Sequence, residues 1–314
     1  MTKTAFLFPG QGSQSVGMMS VLADEFSQVK ATFEQASSVL GYDLWAMVAN
    51  GPAEELNQTE VTQPAMLVSG IATWRIWQAL GGVQPDYLAG HSLGEYSALV
   101  AAGVMQFSDA VSIVAERGRL MQQATPAGTG AMAAVLGLDD QVLNQICKQV
   151  VGDEIVTCAN FNAPGQVVIS GNKDAVETVS ELAMQAGARR VLALPVSVPS
   201  HCILMKPAAA RLRELLLDVR FSDSSLPVVQ NADVSSYADA EQVREALARQ
   251  LWQPVRWTET IQSLLDSGVN RFIECGPGKV LAGLNRRIAK QSAVFALNGP
   301  EAIEGAMRAE ENDG

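Results

Sequence analysis

A serine with glycine two residues away on either side, Gly90-His91-Ser92-Leu93-Gly94, is a group in this chain that could do covalent chemistry. The spacing G-x-S-x-G is that of a nucleophile elbow, a sharp turn between strand and helix that pushes the hydroxyl into the open. Leu93 would begin the helix, so its N–H leaves a helix N-terminus and can receive an oxyanion. The hydroxyl needs a base, and the chain has two histidines. Neighbouring side chains around such a turn point apart, which disfavours His91. His201 follows the strand-like run 191–198 and Pro199, and is the candidate base. A third group must orient the imidazole. Asp218, Asp233 and Glu274 stand unranked for that role, and a backbone carbonyl is equally admissible.

The elbow needs a strand before it and a helix after it, and Tyr87-Leu88-Ala89 and 95–102 supply both patterns. A second loop of interest follows the apolar run at Thr4 to Phe8: Pro9-Gly10-Gln11-Gly12-Ser13-Gln14-Ser15-Val16-Gly17. A dinucleotide-binding turn would need glycine at Ser15, and a Walker loop would need lysine at Met18. Both nucleotide readings fail, leaving a loop at the carboxyl end of the first strand, where α/β proteins bind ligands.

Helical spacing covers 19–40 and 53–82, with an interruption expected at Gln63 because Pro64 disfavours helical backbone before it. A helix at 109–123 presents Arg117 and Arg119. From Gly128 the texture changes to strand 131–137, helix 139–151, strands 154–161 and 166–171, helix 173–186 and strand 190–197. This β-α-β-β-α-β order is that of a ferredoxin-like module. The expected fold is therefore α/β: a large α/β-hydrolase-like subdomain with a parallel sheet core (1–128 and 198–314), carrying an inserted ferredoxin-like small subdomain (129–197). In the second part of the large body, a helix after His201 to about 217 and helices at 239–251, 258–267 and 279–290 alternate with strands at 228–231 and 271–274, and 310–314 reads as a disordered acidic tail.

A net charge of -11 argues against nucleic acid or an anionic membrane as partner. No run approaches a membrane span, and the apolar stretch after Thr4 is too short for a secretion signal. Cys147, Cys158, Cys202 and Cys275 are widely spaced, which suggests neither zinc nor a disulfide framework and agrees with a cytoplasmic protein.

Five motifs then stand in order over nearly the whole chain: Phe8-Pro9-Gly10-Gln11-Gly12-Ser13-Gln14, Gly90-His91-Ser92-Leu93-Gly94-Glu95, Glu116-Arg117-Gly118, Val196-Ser197-Val198-Pro199-Ser200-His201 and Glu274-Cys275-Gly276-Pro277-Gly278. Together they resemble the malonyl-CoA:acyl carrier protein transacylases, relatives of the acyltransferase domains of fatty acid and polyketide synthases. The resemblance implies that Ser92 is acylated, that His201 is general base and acid, and that the backbone N–H groups of Gln11 and Leu93 form the oxyanion hole. It implies further that the Gln250 carbonyl orients His201 and that Arg117 holds the free carboxylate of malonate. Gln63, Asn160, Asn162 and Gln166 are candidates for the cleft lining and for coenzyme A contacts. In one respect the chain departs from many relatives, which have Phe where Ser200 precedes the histidine.

On this reading malonyl-CoA is a substrate, acyl carrier protein is the partner, and no cofactor or metal is needed. A carrier protein is typically acidic, so docking on this acidic chain requires a local basic surface, for which Arg189, Arg190, Lys279, Arg286, Arg287 and Lys290 are candidates. Two other readings share the elbow: a serine esterase or thioesterase, in which water is the acceptor, and a non-catalytic subunit that docks carrier protein.

Overall fold

The computed structural model describes residues 2–311, apart from Ala127, Val151, Gly152, Ser197 and Ser225. Its first part runs β1 (Lys3–Phe8), α1 (Ser20–Glu25), α2 (Ser27–Leu40), α3 (Leu44–Asn50), α4 (Ala53–Leu56), α5 (Thr59–Ala79), β2 (Tyr87–Gly90), α6 (Gly94–Ala101) and α7 (Phe107–Gln123). The middle holds β3 (Gly130–Leu136), α8 (Asp140–Cys147), β4 (Val156–Ala163), β5 (Gln166–Asn172), α9 (Lys173–Gln185) and β6 (Arg190–Ala193). The remainder, after a 3-10 turn at Ile203–Met205, is α10 (Lys206–Leu216), β7 (Val228–Val229), α11 (Ala240–Gln250), α12 (Trp257–Asp266), β8 (Val269–Glu274), α13 (Val280–Ile288), β9 (Ala293–Ala296) and α14 (Pro300–Glu311).

The strands form two sheets. One is wholly parallel, in the order β7-β2-β1-β8-β9. Its central strand, KTAFLF, is buried on both faces, which is why it reads as a continuous apolar run. Phe6 and Phe8 face a core shared with α2, α5 and α7, while Ala5 and Leu7 face Trp257, Ile261 and Leu281 on the other side. The second sheet is antiparallel, in the order β4-β5-β3-β6. Ala133, Val135 and Ile169 pack under α8 and α9, whereas Met132, Ala159 and Val168 point to the opposite face, with Leu194 and Val196 packed against them. A backbone rung ties β4 to the loop between α11 and α12, for Val255 N–H donates to the Ala159 carbonyl (2.8 Å) and Phe161 N–H to the Val255 carbonyl (2.9 Å).

Several elements differ from the sequence reading. The interruption at Gln63 does not occur: α5 passes through Pro64, which lies in its second turn, where the ring costs one bond, to the Glu60 carbonyl, and near-complete burial of the helix outweighs that loss. The long helices expected at 19–40 and 53–82 are each divided, and α3 fills the gap between them. Strand β7 is two residues long, so Gln230 and Asn231 leave the ladder, and Asn231 turns towards the elbow. Neither β9 nor α14 was read from the sequence; β9 adds to the parallel sheet beside β8. The expected tail is helical through Glu311, and 312–314 lie outside the described residues, as do Val151 of the expected helix 139–151 and Ser197 of the expected strand 190–197. Among the described residues no helix is long and apolar enough to cross a membrane.

Candidate active site

The carboxyl ends of β1, β2 and β7 meet on one side of the parallel sheet, and the elbow sits there. A Cβ added to Gly90 would lie 1.9 Å from the Gly94 backbone, and one added to Gly94 would lie 2.0 Å from the Phe8 carbonyl oxygen, so the turn closes only with glycine at both places. Between them Ser92 is held at φ 51°. Its Oγ is 2.8 Å from Nε2 of His201. His201, at φ 60°, is also in the left-handed region, which costs a non-glycine residue on the order of 1–2 kcal/mol. Strain at both groups is characteristic of sites where geometry is over-determined by the surroundings.

The His201 ring is fully specified. Nδ1 lies 2.7 Å from the Gln250 carbonyl, which only accepts, so Nδ1 carries the proton and Nε2 is free to accept from Ser92. Burial, together with the nearby Arg117 charge, pushes the His201 pKa down to about 3, so the ring is neutral at physiological pH. None of the three acids considered from the sequence reaches it: Glu274 accepts from the Leu281 and Ala282 N–H groups at the start of α13, Asp233 pairs with Arg249, and Asp218 follows α10. The other histidine is used differently, with His91 Nε2–H donating to Asn162 Oδ1 (2.8 Å) and the ring lying against Trp257.

Arg117 is 1% exposed. Its α7 helix reaches the site because Gly118 lets it pass close to the start of α5, where a Cβ would lie 2.6 Å from Glu60 Cα. That approach brings Arg117 Nη1 to Gln63 Oε1 (2.7 Å), while Nη2 donates to Gln250 Oε1 (2.9 Å) and lies 3.3 Å from Ser92 Oγ. No carboxylate is paired with it among the described ion pairs, and its Nε–H has no partner. Burial pulls its pKa down from the ordinary value, yet a guanidinium stays cationic. The site therefore holds a buried positive charge beside a nucleophile.

A cleft of about 170 Å³ opens onto these groups, with Gln11, Ser92, Leu93, Arg117, Asn160, Asn162 and His201 among its lining. Leu93 caps α6, and among the described residues no acceptor takes its N–H. Gln63 lines the cleft too, but Gln166 does not; its Oε1 accepts from Arg287 at the end of β5. Arg189, Arg190, Lys279, Arg286, Arg287 and Lys290 are all exposed. Arg287 reaches Gln166 and the Pro164 carbonyl, and Gln166 and Arg190 both pair with Leu136, which gathers Arg287 and Arg190 at one end of the antiparallel sheet. Arg286 instead donates to the Val294 carbonyl.

Residues 5–313 match the acyl transferase domain family. The malonyl CoA-acyl carrier protein transacylase of Escherichia coli K12 is 52% identical over 307 residues, covering 98% of this chain and 99% of that protein. The chain belongs to the acyl transferase family, among the malonyl CoA-acyl carrier protein transacylases. An acyl carrier protein S-malonyltransferase from Vibrio cholerae superposes with a TM-score of 0.94 at 53% identity over 97% of this chain and all of that one. A malonyl-transacylase solved in complex with its holo type II polyketide acyl carrier protein superposes at 0.97 and 51% identity, covering 98% and 100%.

Within this transacylase architecture, sequence reasoning missed three groups. The Gln250 side chain, not only its carbonyl, ties Arg117 to the Ser92 carbonyl, to which Nε2–H donates (2.9 Å). Asn231 binds the elbow directly, and Glu95 supports Asn231. The apolar wall of Met132, Val168, Leu194 and Val196 faces the polar groups across the cleft. Only its alternation in β3 and β5 was a visible signal.

Proposed function

We propose that this chain transfers the malonyl group from malonyl-CoA to the phosphopantetheine thiol of acyl carrier protein, by way of a malonyl ester on Ser92. The observation that carries this reading is the buried, unpaired Arg117 guanidinium 3.3 Å from Ser92 Oγ. In a malonyl thioester the carboxylate and the reactive carbonyl carbon are separated by one methylene, roughly 2.5 Å carbon to carbon. A carboxylate paired with Arg117 therefore brings that carbonyl to Ser92, whereas an acetyl group leaves the cation unpaired in a buried site.

His201 Nε2 takes the Ser92 proton as Oγ attacks the thioester carbonyl, and the Gln250 carbonyl steadies the imidazolium through Nδ1–H. The oxyanion rests on the N–H groups of Leu93 and Gln11. On collapse the C–S bond breaks, and His201 returns the proton to the coenzyme A sulfur. The carrier thiol then enters, loses its proton to His201 and attacks the ester, and Ser92 leaves with that proton, giving ping-pong kinetics. No cofactor or metal takes part. Arg189, Arg190 and Arg287, with Lys279, Arg286 and Lys290, supply the basic surface for the carrier protein.

The division into a hydrolase-like body (1–128 and 198–314) and a ferredoxin-like insert (129–197) belongs to the same reading. It is supported by the 4-1-3-2 order of β6, β3, β5 and β4 and by the shared face under α8 and α9. Intact-mass measurement after exposure to malonyl-CoA tests the proposal: a malonyl adduct is expected, absent in Ser92→Ala and transferred to holo carrier protein faster than it hydrolyses. Hydrolysis outpacing transfer would make the chain an esterase, and no adduct a docking subunit.

A further inference from the structure

We propose that Asn231 is a positioning residue for the nucleophile: its carboxamide holds the elbow at its first residue, Gly90, and at Ser92, so that Ser92 keeps the left-handed backbone that aims Oγ at His201. This deepens the transacylase reading and rests on it. The parallel register of β2 with β7, Leu88 opposite Val228 and Ala89 opposite Val229, carries Asn231 alongside the turn. There Oδ1 accepts from Ser92 N–H (2.6 Å) and Nδ2–H donates to the Gly90 carbonyl (2.6 Å). The Asn231 backbone is itself fixed, its N–H donating to Glu95 Oε2 (2.7 Å) and its carbonyl accepting from Arg256 N–H (3.2 Å). Asn231 and Glu95 are both fully buried.

A second observation is independent of these bonds. Besides Ser92 and His201, the one other described non-glycine residue at positive φ is Val234, at 56°. A β-branched residue there is a genuine outlier. It lies in the tight turn that begins at Gln230, closed by Gln230 N–H to the Ser235 carbonyl and Val234 N–H to the Gln230 carbonyl. The strained segment is thus the one that presents Asn231, and strain of this kind persists where the surroundings impose it for function. One chemical consequence is immediate. The Ser92 N–H is occupied by Asn231 and is withheld from the oxyanion, which leaves that role to Leu93 and Gln11.

The test compares malonyl-enzyme formation by rapid-quench intact mass in wild type, N231A and N231D between about pH 6 and pH 9. Wild-type malonylation, absent in S92A, establishes the underlying reading in the same assay. N231A is expected to acylate about 10²-fold more slowly at every pH, with a much smaller change in KM for malonyl-CoA, as for a slightly misplaced nucleophile. In N231D the ionised carboxylate cannot donate to Gly90, so acylation is slow at pH 9. The protonated acid both accepts from Ser92 and donates to Gly90, so the rate recovers as the pH falls. Glu95 from α6, Asp233 before α11, Arg249 on α11 and Arg256 before α12 are the charged groups facing this position; burial raises the Glu95 carboxyl to about 8, so the pair of acids shifts the recovery upward in pH. Wild-type rates in N231A, an N231D profile parallel to wild type, or loss of the folded state in N231D by circular dichroism would each overturn the proposal.

Discussion

Two arginines stand two residues apart on α7 and live in opposite worlds. Arg119, on the solvent face, is bound by Glu116 one turn back and by Gln123 one turn on, as a charged residue on a helix surface is expected to be. Arg117, on the inner face, has among the described residues neutral partners: the amide oxygens of Gln63 and Gln250, the Ser92 hydroxyl and the face of the Tyr96 ring. The difference is one of compensation. An exposed pair is solvated and screened, so its removal changes little. A buried cation held by neutral groups has geometry but no counter-charge, which leaves it open to pairing with an anion.

Breaking that contrast has its largest effect at Arg117. Arg117→Ala should lower kcat/KM for malonyl-CoA by about 4 kcal/mol in the barrier, roughly 10³-fold. The same change should alter acetyl transfer less than tenfold, roughly, since acetyl offers no carboxylate. Equal losses with both thioesters would show that Arg117 only supports the fold. A second effect comes through the burial of His201, to which the nearby Arg117 charge adds. Because the folded pKa of the imidazole is depressed to about 3, the neutral base persists well below the usual histidine range, and the acid limb of kcat/KM for malonylation should lie below about pH 5. A limb near 6.5 would mean a solvated histidine and would dissolve the distinction between the two faces. The smallest effect is expected at the outer residue: Arg119→Ala should leave kcat/KM within about twofold of wild type and the melting temperature unmoved.

The same pair of arginines marks the limit of what the sequence discloses. Ser92 and His201 were legible because a strand, a glycine-spaced turn and a scarce histidine constrain the chemistry locally. Helical spacing puts Arg117 on the apolar stripe with Ala110, Val114 and Met121 and Arg119 off it, but periodicity does not say what a buried arginine binds, and only the family resemblance gave Arg117 its role. Their fates are decided by Gly118, whose missing side chain sets how closely α7 crosses α5. The Gln250 side chain and Asn231 escaped for a similar reason: each is polar in sequence, and its role depends on which elements lie side by side. The middle region was read nearly strand for strand, since alternation and turns are local signals. Strand β9 was missed because four residues beside an existing edge carry little pattern of their own.

The rung at Val255 has a mechanical meaning. Four residues separate it from Gln250, whose carbonyl holds His201, and on its other side lies β4, which bears Asn160 and Asn162. The wall of the cleft and the group that turns the imidazole are therefore coupled through one short length of chain. His201 N–H also donates to the Leu251 carbonyl (2.9 Å), so the base is anchored at its backbone and at its ring by the same short stretch that is stitched to the cleft wall.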